Sequence, residues 1–193
     1  MSDSSFSERM QALQQKNQER SVQLPGVDLR DIPFSPVEHF GYAHSQEMAT
    51  LAHYIGDGLK LDAADLKAVK VAGLLHDVGR TLPWQQSDLG HQTRGADIAV
   101  RFLKSQPEVY TDTKLISDVG WLIANHCLSG PLPTDARLQA LWDADAYDAA
   151  RLAVGTPEGL RVFKARTDDS RLCTDWAKDK NNKKTWLAHR GWR

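Results

Sequence analysis

Apolar residues recur along most of the chain at intervals of three and four positions, which is the spacing of an amphipathic α-helix. No stretch shows the two-residue alternation of a half-buried strand. Helices are predicted to begin near positions 36, 62, 91, 112, 134 and 157, several of them after an N-cap residue such as Asp62 or Thr134. The pattern therefore predicts an all-α protein, a bundle of about six to eight helices.

The same pattern divides the chain into three parts. Residues 1–34 combine a short amphipathic helix with a linker that contains Pro25, Gly26 and Pro33. Residues 35–170 form the main helical domain, and residues 171–193 form a C-terminal helical extension with a basic tail. The apolar face of the N-terminal helix is a candidate contact for a homodimer.

Composition narrows the classes of function. The chain has 193 residues, 41% of them hydrophobic, and a formal net charge of −1, so it can bury a core and has no overall field that would attract nucleic acid or anionic lipid. No apolar run approaches the length of a membrane span, the N-terminus lacks the pattern of a secretory signal, and two cysteines do not make a disulfide framework. We expect a cytoplasmic protein with a small-molecule partner, bound neither to a membrane nor to nucleic acid.

Histidines lie on the apolar faces of four predicted helices, near the helix ends. The first helix carries a stripe that includes a histidine: His44, Met48, Leu51, Ile55 and Leu59. The next three faces hold His76, followed directly by Asp77; His91, ahead of Gly95, Ile98 and Phe102; and His126, after Ile116, Val119 and Ile123. A fifth helix adds a carboxylate, because Asp145 shares the stripe of Leu141 while Asp143 points roughly 200° away from it.

Imidazoles and carboxylates that face one interior are explained most simply by metal binding, because unpaired polar groups are costly to bury. Six side chains are more than one ion with an open position needs, but they suit two ions with Asp77 as the bridge. We predict one or two divalent transition-metal ions (Fe, Mn, Zn, Ni or Co, with Mg as a further candidate). The predicted ligands are His44, His76, Asp77, His91, His126 and Asp145.

The set of His44, the pair His76-Asp77 and the distant Asp145 resembles the signature of the HD-domain superfamily of metal-dependent phosphohydrolases. The resemblance covers roughly residues 36–170 and implies an HD-domain helical bundle. His91 and His126 look like the two extra histidines of dinuclear bacterial members, although hydrogen bonding to a substrate phosphate would also explain them.

Two positions depart from the common pattern of that superfamily. Many relatives carry a lysine where this chain has Arg80, and an arginine where it has Ala146. The first change keeps a cation beside the predicted metal, and the second removes one. The contacts with substrate near Asp145 are therefore expected to differ from those of typical relatives.

The resemblance implies hydrolysis of a phosphate mono- or diester, expected to be nucleotide-like, by a metal-activated water. Catalysis would fall to His76 and Asp77, and we predict that Arg80, Arg94 and Asp148 contact the substrate, the arginines through the planar guanidinium fork that suits phosphate. Two alternatives stay open. An HD-fold di-iron oxygenase would use the same ligands, and a non-catalytic sensor would bind a nucleotide without turning it over.

Overall fold

A computed structural model describes residues 31–34, 41–80, 90–126, 131–148 and 157–189, apart from the side chains of 158–160, 163 and 185–189. Within these ranges the chain forms eight helices and no strand, which confirms the predicted all-α bundle. The N-terminal helix expected in residues 1–20 and the helix start expected at position 36 lie outside them. The helices are α1 (Tyr42–Gly58), α2 (Ala63–Leu75), α3 (His91–Lys104), α4 (Thr113–Asn125), α5 (Ala136–Asp148), α6 (Pro157–Arg166), α7 (Asp175–Lys178) and α8 (Lys180–His189).

Aspartates cap the beginnings of three of these helices. The carboxylate of Asp62 accepts a hydrogen bond from the backbone of Asp65, and that of Asp112 accepts two at the start of α4. At α5 the expected cap was wrong by one residue. Asp135, not Thr134, accepts from the backbone N–H groups of Arg137 and Leu138, because a carboxylate two and three positions upstream reaches these unpaired donors.

The core lies between two helix pairs. Helix α1 packs on α2 and on α5, α3 packs on α4, and contacts between α2 and α4 join the pairs. The crossing of α1 and α2 depends on Gly73, where a Cβ atom would lie 2.9 Å from the Cα of Ala49. Since only a glycine permits this separation, the two helix backbones touch one turn before His76.

Helix α3 begins at His91, as predicted, but its buried face differs from the predicted one. Gly95, Ala99 and Leu103 are buried, whereas Ile98 and Phe102 are only partly buried. The contact of the first turn with Gly79 explains the rotation: a Cβ on Gly79 would lie 2.1 Å from the carbonyl oxygen of His91 and 2.6 Å from the nitrogen of Gly95. This contact fixes which face of α3 turns inward.

The C-terminal extension packs on α5 and α1. The buried carboxylate of Asp143 accepts hydrogen bonds from the backbone nitrogens of Cys173 (2.8 Å) and Thr174 (2.9 Å). One turn later, Tyr147 donates its hydroxyl hydrogen to the carbonyl oxygen of Ala177 at 2.6 Å. Asp143 thus points away from the predicted metal ligands, as its helical phase predicts, and ties the extension to α5. Among the described helices, none has the length and apolarity that a bilayer crossing requires.

Candidate metal centre

Two of the predicted ligands occupy equivalent positions at helix C-termini. His76 follows the last residue of α2 and His126 follows the last residue of α4. Each donates its Nδ1 hydrogen to a carbonyl three residues earlier, Gly73 at 2.8 Å and Ile123 at 2.6 Å. Carbonyls of the last helical turn lack intrahelical donors, so the imidazole satisfies one of them.

These hydrogen bonds determine the tautomer of both rings. A carbonyl oxygen can only accept, so Nδ1 carries the hydrogen and Nε2 of the neutral ring presents a bare lone pair. Fixing a ligand histidine through its other nitrogen is the usual device of protein metal sites. The two helix C-termini add partial negative charge, which favours a cation at the same place.

His44 is oriented by a carboxylate instead of a carbonyl. Its Nδ1 lies 2.5 Å from Oδ2 of Asp148, which is almost wholly buried at the end of α5. Its Nε2 faces Nε2 of His76 at 2.9 Å. Two bare nitrogens at this separation repel each other unless a cation lies between them or one carries a proton.

Asp77 lies at the centre of the cluster, and its two oxygens face different histidines. Oδ2 is 3.2 Å from Nε2 of His44 and 3.4 Å from Nε2 of His76. Oδ1 is 3.6 Å from Nε2 of His91 and 3.7 Å from Nε2 of His126, and these two nitrogens are 3.3 Å apart. We call the Oδ2 side, with His44 and His76, the inner half, and the Oδ1 side, with His91 and His126, the outer half.

Asp145 completes the inner half. One of its carboxylate oxygens and one nitrogen of each of His44 and His76 lie within 4.8 Å of one another. Helix α5 therefore supplies both this oxygen and, one turn later, the carboxylate of Asp148 that orients His44. The structure thus brings all six predicted ligands into one cluster, in which four histidines surround Asp77 and Asp145 adjoins His44 and His76.

The separations within the cluster fit metal coordination. Two ligand atoms that each lie about 2.0–2.2 Å from one ion are about 2.9–3.5 Å apart at octahedral to tetrahedral angles. The pairs of facing histidine nitrogens fall in this range, at 2.9 and 3.3 Å. Burial fits as well, because His44, His76, Asp77 and His126 expose at most 5% of their side chains, and His91 exposes 12%.

The pKa values of Asp77 and His44 are both shifted in the direction that favours positive charge in the cluster. Burial by itself would raise the pKa of Asp77, but the surrounding histidines, His76 foremost and then His126 and His44, outweigh burial and hold that pKa well below its usual value. Burial also opposes protonation of His44, yet hydrogen bonds to Asp148 and Asp77 outweigh it and raise the pKa of His44 to about 9.

His91 differs from His44 in this respect. Its pKa is lowered to about 4 by burial, then by the positive charge of Arg80. It therefore stays neutral at neutral pH, with its nitrogens able to act as ligands. The first turn of α3 holds it in place through the close contact between Gly79 and Gly95.

The predicted substrate contacts have specific neighbours. Arg80 donates from Nε to Oδ1 of Asp77 at 2.6 Å, and Arg94 donates from Nε to the carbonyl oxygen of Gly79 at 2.9 Å. Nη2 of Arg94 is buried and has no hydrogen-bond partner in the described part of the chain. Oδ2 of Asp148 contacts Nδ1 of His44, so its partner is a predicted metal ligand. Contact of these three residues with substrate stays a prediction.

Sequence reasoning missed two features that build the site. Gly73 allows α1 to approach α2 closely. In the sequence, the one sign of this was that a glycine interrupts an apolar helix face. The hydrogen bond between Asp148 and His44 joins residues 104 positions apart, and no pattern within either helix indicates it.

Comparison with curated proteins and with solved structures gave no match. A family model described as the HD domain matches residues 41–150. The matched segment is more than half of the 193-residue chain and contains all six predicted ligands. The chain therefore belongs to the HD-domain family, whose members are largely metal-dependent hydrolases.

Proposed function

We propose that the protein is a metal-dependent phosphohydrolase that cleaves a phosphate mono- or diester of a small, nucleotide-like molecule. One observation carries this proposal. His44, His76 and His126 each have Nδ1 engaged by an acceptor behind the ring and Nε2 directed at Asp77. Anchoring a histidine through the nitrogen that faces away from the ion is the usual way in which proteins orient metal ligands.

The donor set assigns residues to two ions. His44, His76, Asp77 and Asp145 would hold one ion in the inner half, and Asp77, His91 and His126 would hold a second in the outer half. Imidazole and carboxylate ligands suit Fe, Mn, Zn, Ni or Co better than Mg, which prefers oxygen ligands. Divalent ions in such a site supply positive charge for the phosphate oxygens and make a water molecule acidic enough to attack at neutral pH.

The chain's own residues then have distinct tasks. Asp77 is held ionised, so it can accept a hydrogen bond from the attacking water and orient it. His76 keeps its Nδ1 hydrogen on Gly73, so it cannot switch tautomer during the reaction. Asp148 keeps His44 oriented in the same way. No serine or cysteine nucleophile is part of this proposal, because the attack is by water.

The path for substrate leads to the outer half. In the inner half His44 and His76 are at most 5% exposed and Asp145 is partly exposed, while on the outer side Arg80 exposes 20% of its side chain and His91 exposes 12%. Arg80 and Arg94 lie on this side and offer the guanidinium groups that bind phosphate oxygens. We therefore propose that the phosphate approaches between His91 and the two arginines.

The test compares the wild-type protein with Asp77→Ala and with Asp97→Ala, a control on the exposed face of α3. Metal content is measured after purification without chelator, and phosphate release is measured on nucleotides and on p-nitrophenyl esters. We expect metal-dependent turnover that Asp77→Ala abolishes and Asp97→Ala retains. Turnover that persists in a folded Asp77→Ala variant would refute the assignment.

Two other outcomes would point to the alternatives. Bound iron with substrate-dependent oxygen uptake and no phosphate release would indicate the di-iron oxygenase. Tight nucleotide binding without any product would indicate a sensor.

A further inference from the structure

The two halves of the metal centre differ sharply in charge. The inner half has three carboxylates close by, since Asp145 and Asp77 face it and Asp148 supports His44. Among the described residues, the outer half has the carboxylate of Asp77 together with the imidazoles of His91 and His126. A divalent cation is therefore attracted more strongly to the inner half.

Arg80 adds to this difference. Its Nε donates to Oδ1 of Asp77 at 2.6 Å, and Oδ1 is the same oxygen that faces His91 and His126. Asp77 is 2% exposed, so little water screens the interaction between the guanidinium and a cation at this oxygen. A guanidinium does not lose its proton in proteins, so the positive charge persists at any working pH.

We infer that Arg80 makes the two ion positions unequal, so that the inner half holds its ion tightly and the outer half binds a second ion weakly and exchangeably. This inference rests on the proposed two-metal site. The outer ion and Arg80 compete for Oδ1 of Asp77, and repulsion between the two positive charges weakens the ion.

Among the ion pairs of the described residues, Arg80 is the arginine that contacts Asp77, and it does so on the outer side. Oδ2 of Asp77 faces only His44 and His76 among the contacts of the described residues, and no arginine or lysine is paired with it there. Removal of the Arg80 charge should therefore change the binding of the outer ion and leave the binding of the inner ion unchanged. A general loss of folding would change both steps, which makes the two effects distinguishable.

The experiment is a titration of the metal-free full chain with Mn²⁺ by isothermal calorimetry, with bound Mn²⁺ counted after equilibrium dialysis. The variants are Arg80→Gln, which removes the charge, and Arg80→Lys, which keeps it. Arg101→Gln is the matched control, because Arg101 pairs with Asp97 on the exposed face of α3. Thermal melts of all four proteins check that each is folded.

In the wild-type protein we expect two steps, the second weaker by about ten-fold or more. Arg80→Gln should tighten the second step by about ten-fold and leave the first unchanged, while Arg80→Lys and Arg101→Gln should resemble the wild type. Two equal steps in the wild type, or a second step that Arg80→Gln does not tighten, would overturn the inference and leave the proposed hydrolase intact. A wild-type chain that binds no Mn²⁺ or any other transition ion would overturn both.

Discussion

Asp148 Oδ2 lies 2.5 Å from Nδ1 of His44, across 104 positions of sequence. The carboxylate is 1% exposed and the imidazole 5%, so both groups are shielded from water and the hydrogen bond is strong. The bond joins the end of α5 to the beginning of α1 and leaves the opposite nitrogen of His44 directed at Asp77. One contact thus sets the orientation of a predicted ligand and connects two helices of the bundle.

Asp148→Asn tests that role. The amide keeps the shape of the carboxylate but removes its charge, so it no longer favours the tautomer of His44 that leaves Nε2 bare. We expect the affinity for the inner ion to fall by about 10- to 100-fold, the usual effect of losing a partner behind a ligand histidine. Mn²⁺ titration of the folded variant measures it, with Asp97→Asn as the control at an exposed position. An unchanged inner-ion affinity would contradict the assignment.

Gly73→Ala tests how closely the helices must approach. The new Cβ would meet backbone atoms of Ala49 at 2.9 and 3.0 Å, and backbone cannot rotate away as a side chain can. We expect a loss of about 1–3 kcal/mol in the free energy of unfolding, measured by urea denaturation, with weaker metal binding as His44 moves from His76. The sign of the change in the free energy of unfolding is informative, because glycine-to-alanine changes within helices otherwise stabilise a protein by roughly 0.5–1 kcal/mol. A stabilised variant would show that a Cβ atom at position 73 fits between α1 and α2.

The positions of the histidines could be predicted because each lies at the beginning or at the end of an apolar stripe. Helical phase was enough to separate Asp145, near the inner histidines, from Asp143, which binds the backbone of the C-terminal extension. Such inferences need only the period of one helix. The rotation of α3 could not be found in this way, because its first turn is set by Gly79, which lies in another part of the chain.

Contacts between distant segments are the part that the sequence does not reveal. Asp148 could be placed on the inner face of α5, but whether it met a substrate or a neighbouring side chain depends on where α1 packs. The same holds for Tyr147, whose hydroxyl finds the carbonyl of Ala177 only after the extension folds back onto α5. Helix periodicity fixes the direction of a side chain, and tertiary packing decides its partner.

Lys60→Gly is expected to stabilise the protein. Helix α1 ends in a Schellman motif, in which Lys60 donates to the carbonyl of Asp57 and Leu61 donates to that of Gly56. Lys60 has a φ of 62°, a left-handed conformation that a Cβ atom disfavours. Glycine there should raise the free energy of unfolding by about 0.5–1 kcal/mol in urea denaturation. Lys60→Ala is the control, because it removes the charge but keeps the Cβ. An equal gain in both variants would mean that charge, not backbone conformation, is responsible.

The thiol of Cys173 is expected to resist alkylation at alkaline pH. Burial, followed by the negative charge of Asp143 and a hydrogen bond to it, raises the pKa of Cys173 from 9.0 to about 12. Between these values the unfolded chain loses its thiol proton before the folded chain does. The contribution of this group to stability is therefore complete below pH 9 and is lost as the pH rises towards about 12.

Iodoacetamide labelling at pH 9, followed by mass spectrometry of the peptide that contains Cys173, measures the effect. We expect labelling at least about ten-fold slower than that of a free cysteine peptide, because the thiolate is the reactive form. Asp143→Asn should accelerate it, since the charge that opposes ionisation is gone while the amide oxygen can still accept from Thr174. A native protein labelled as fast as the free peptide would show that the extension does not hold Cys173 against Asp143 in solution.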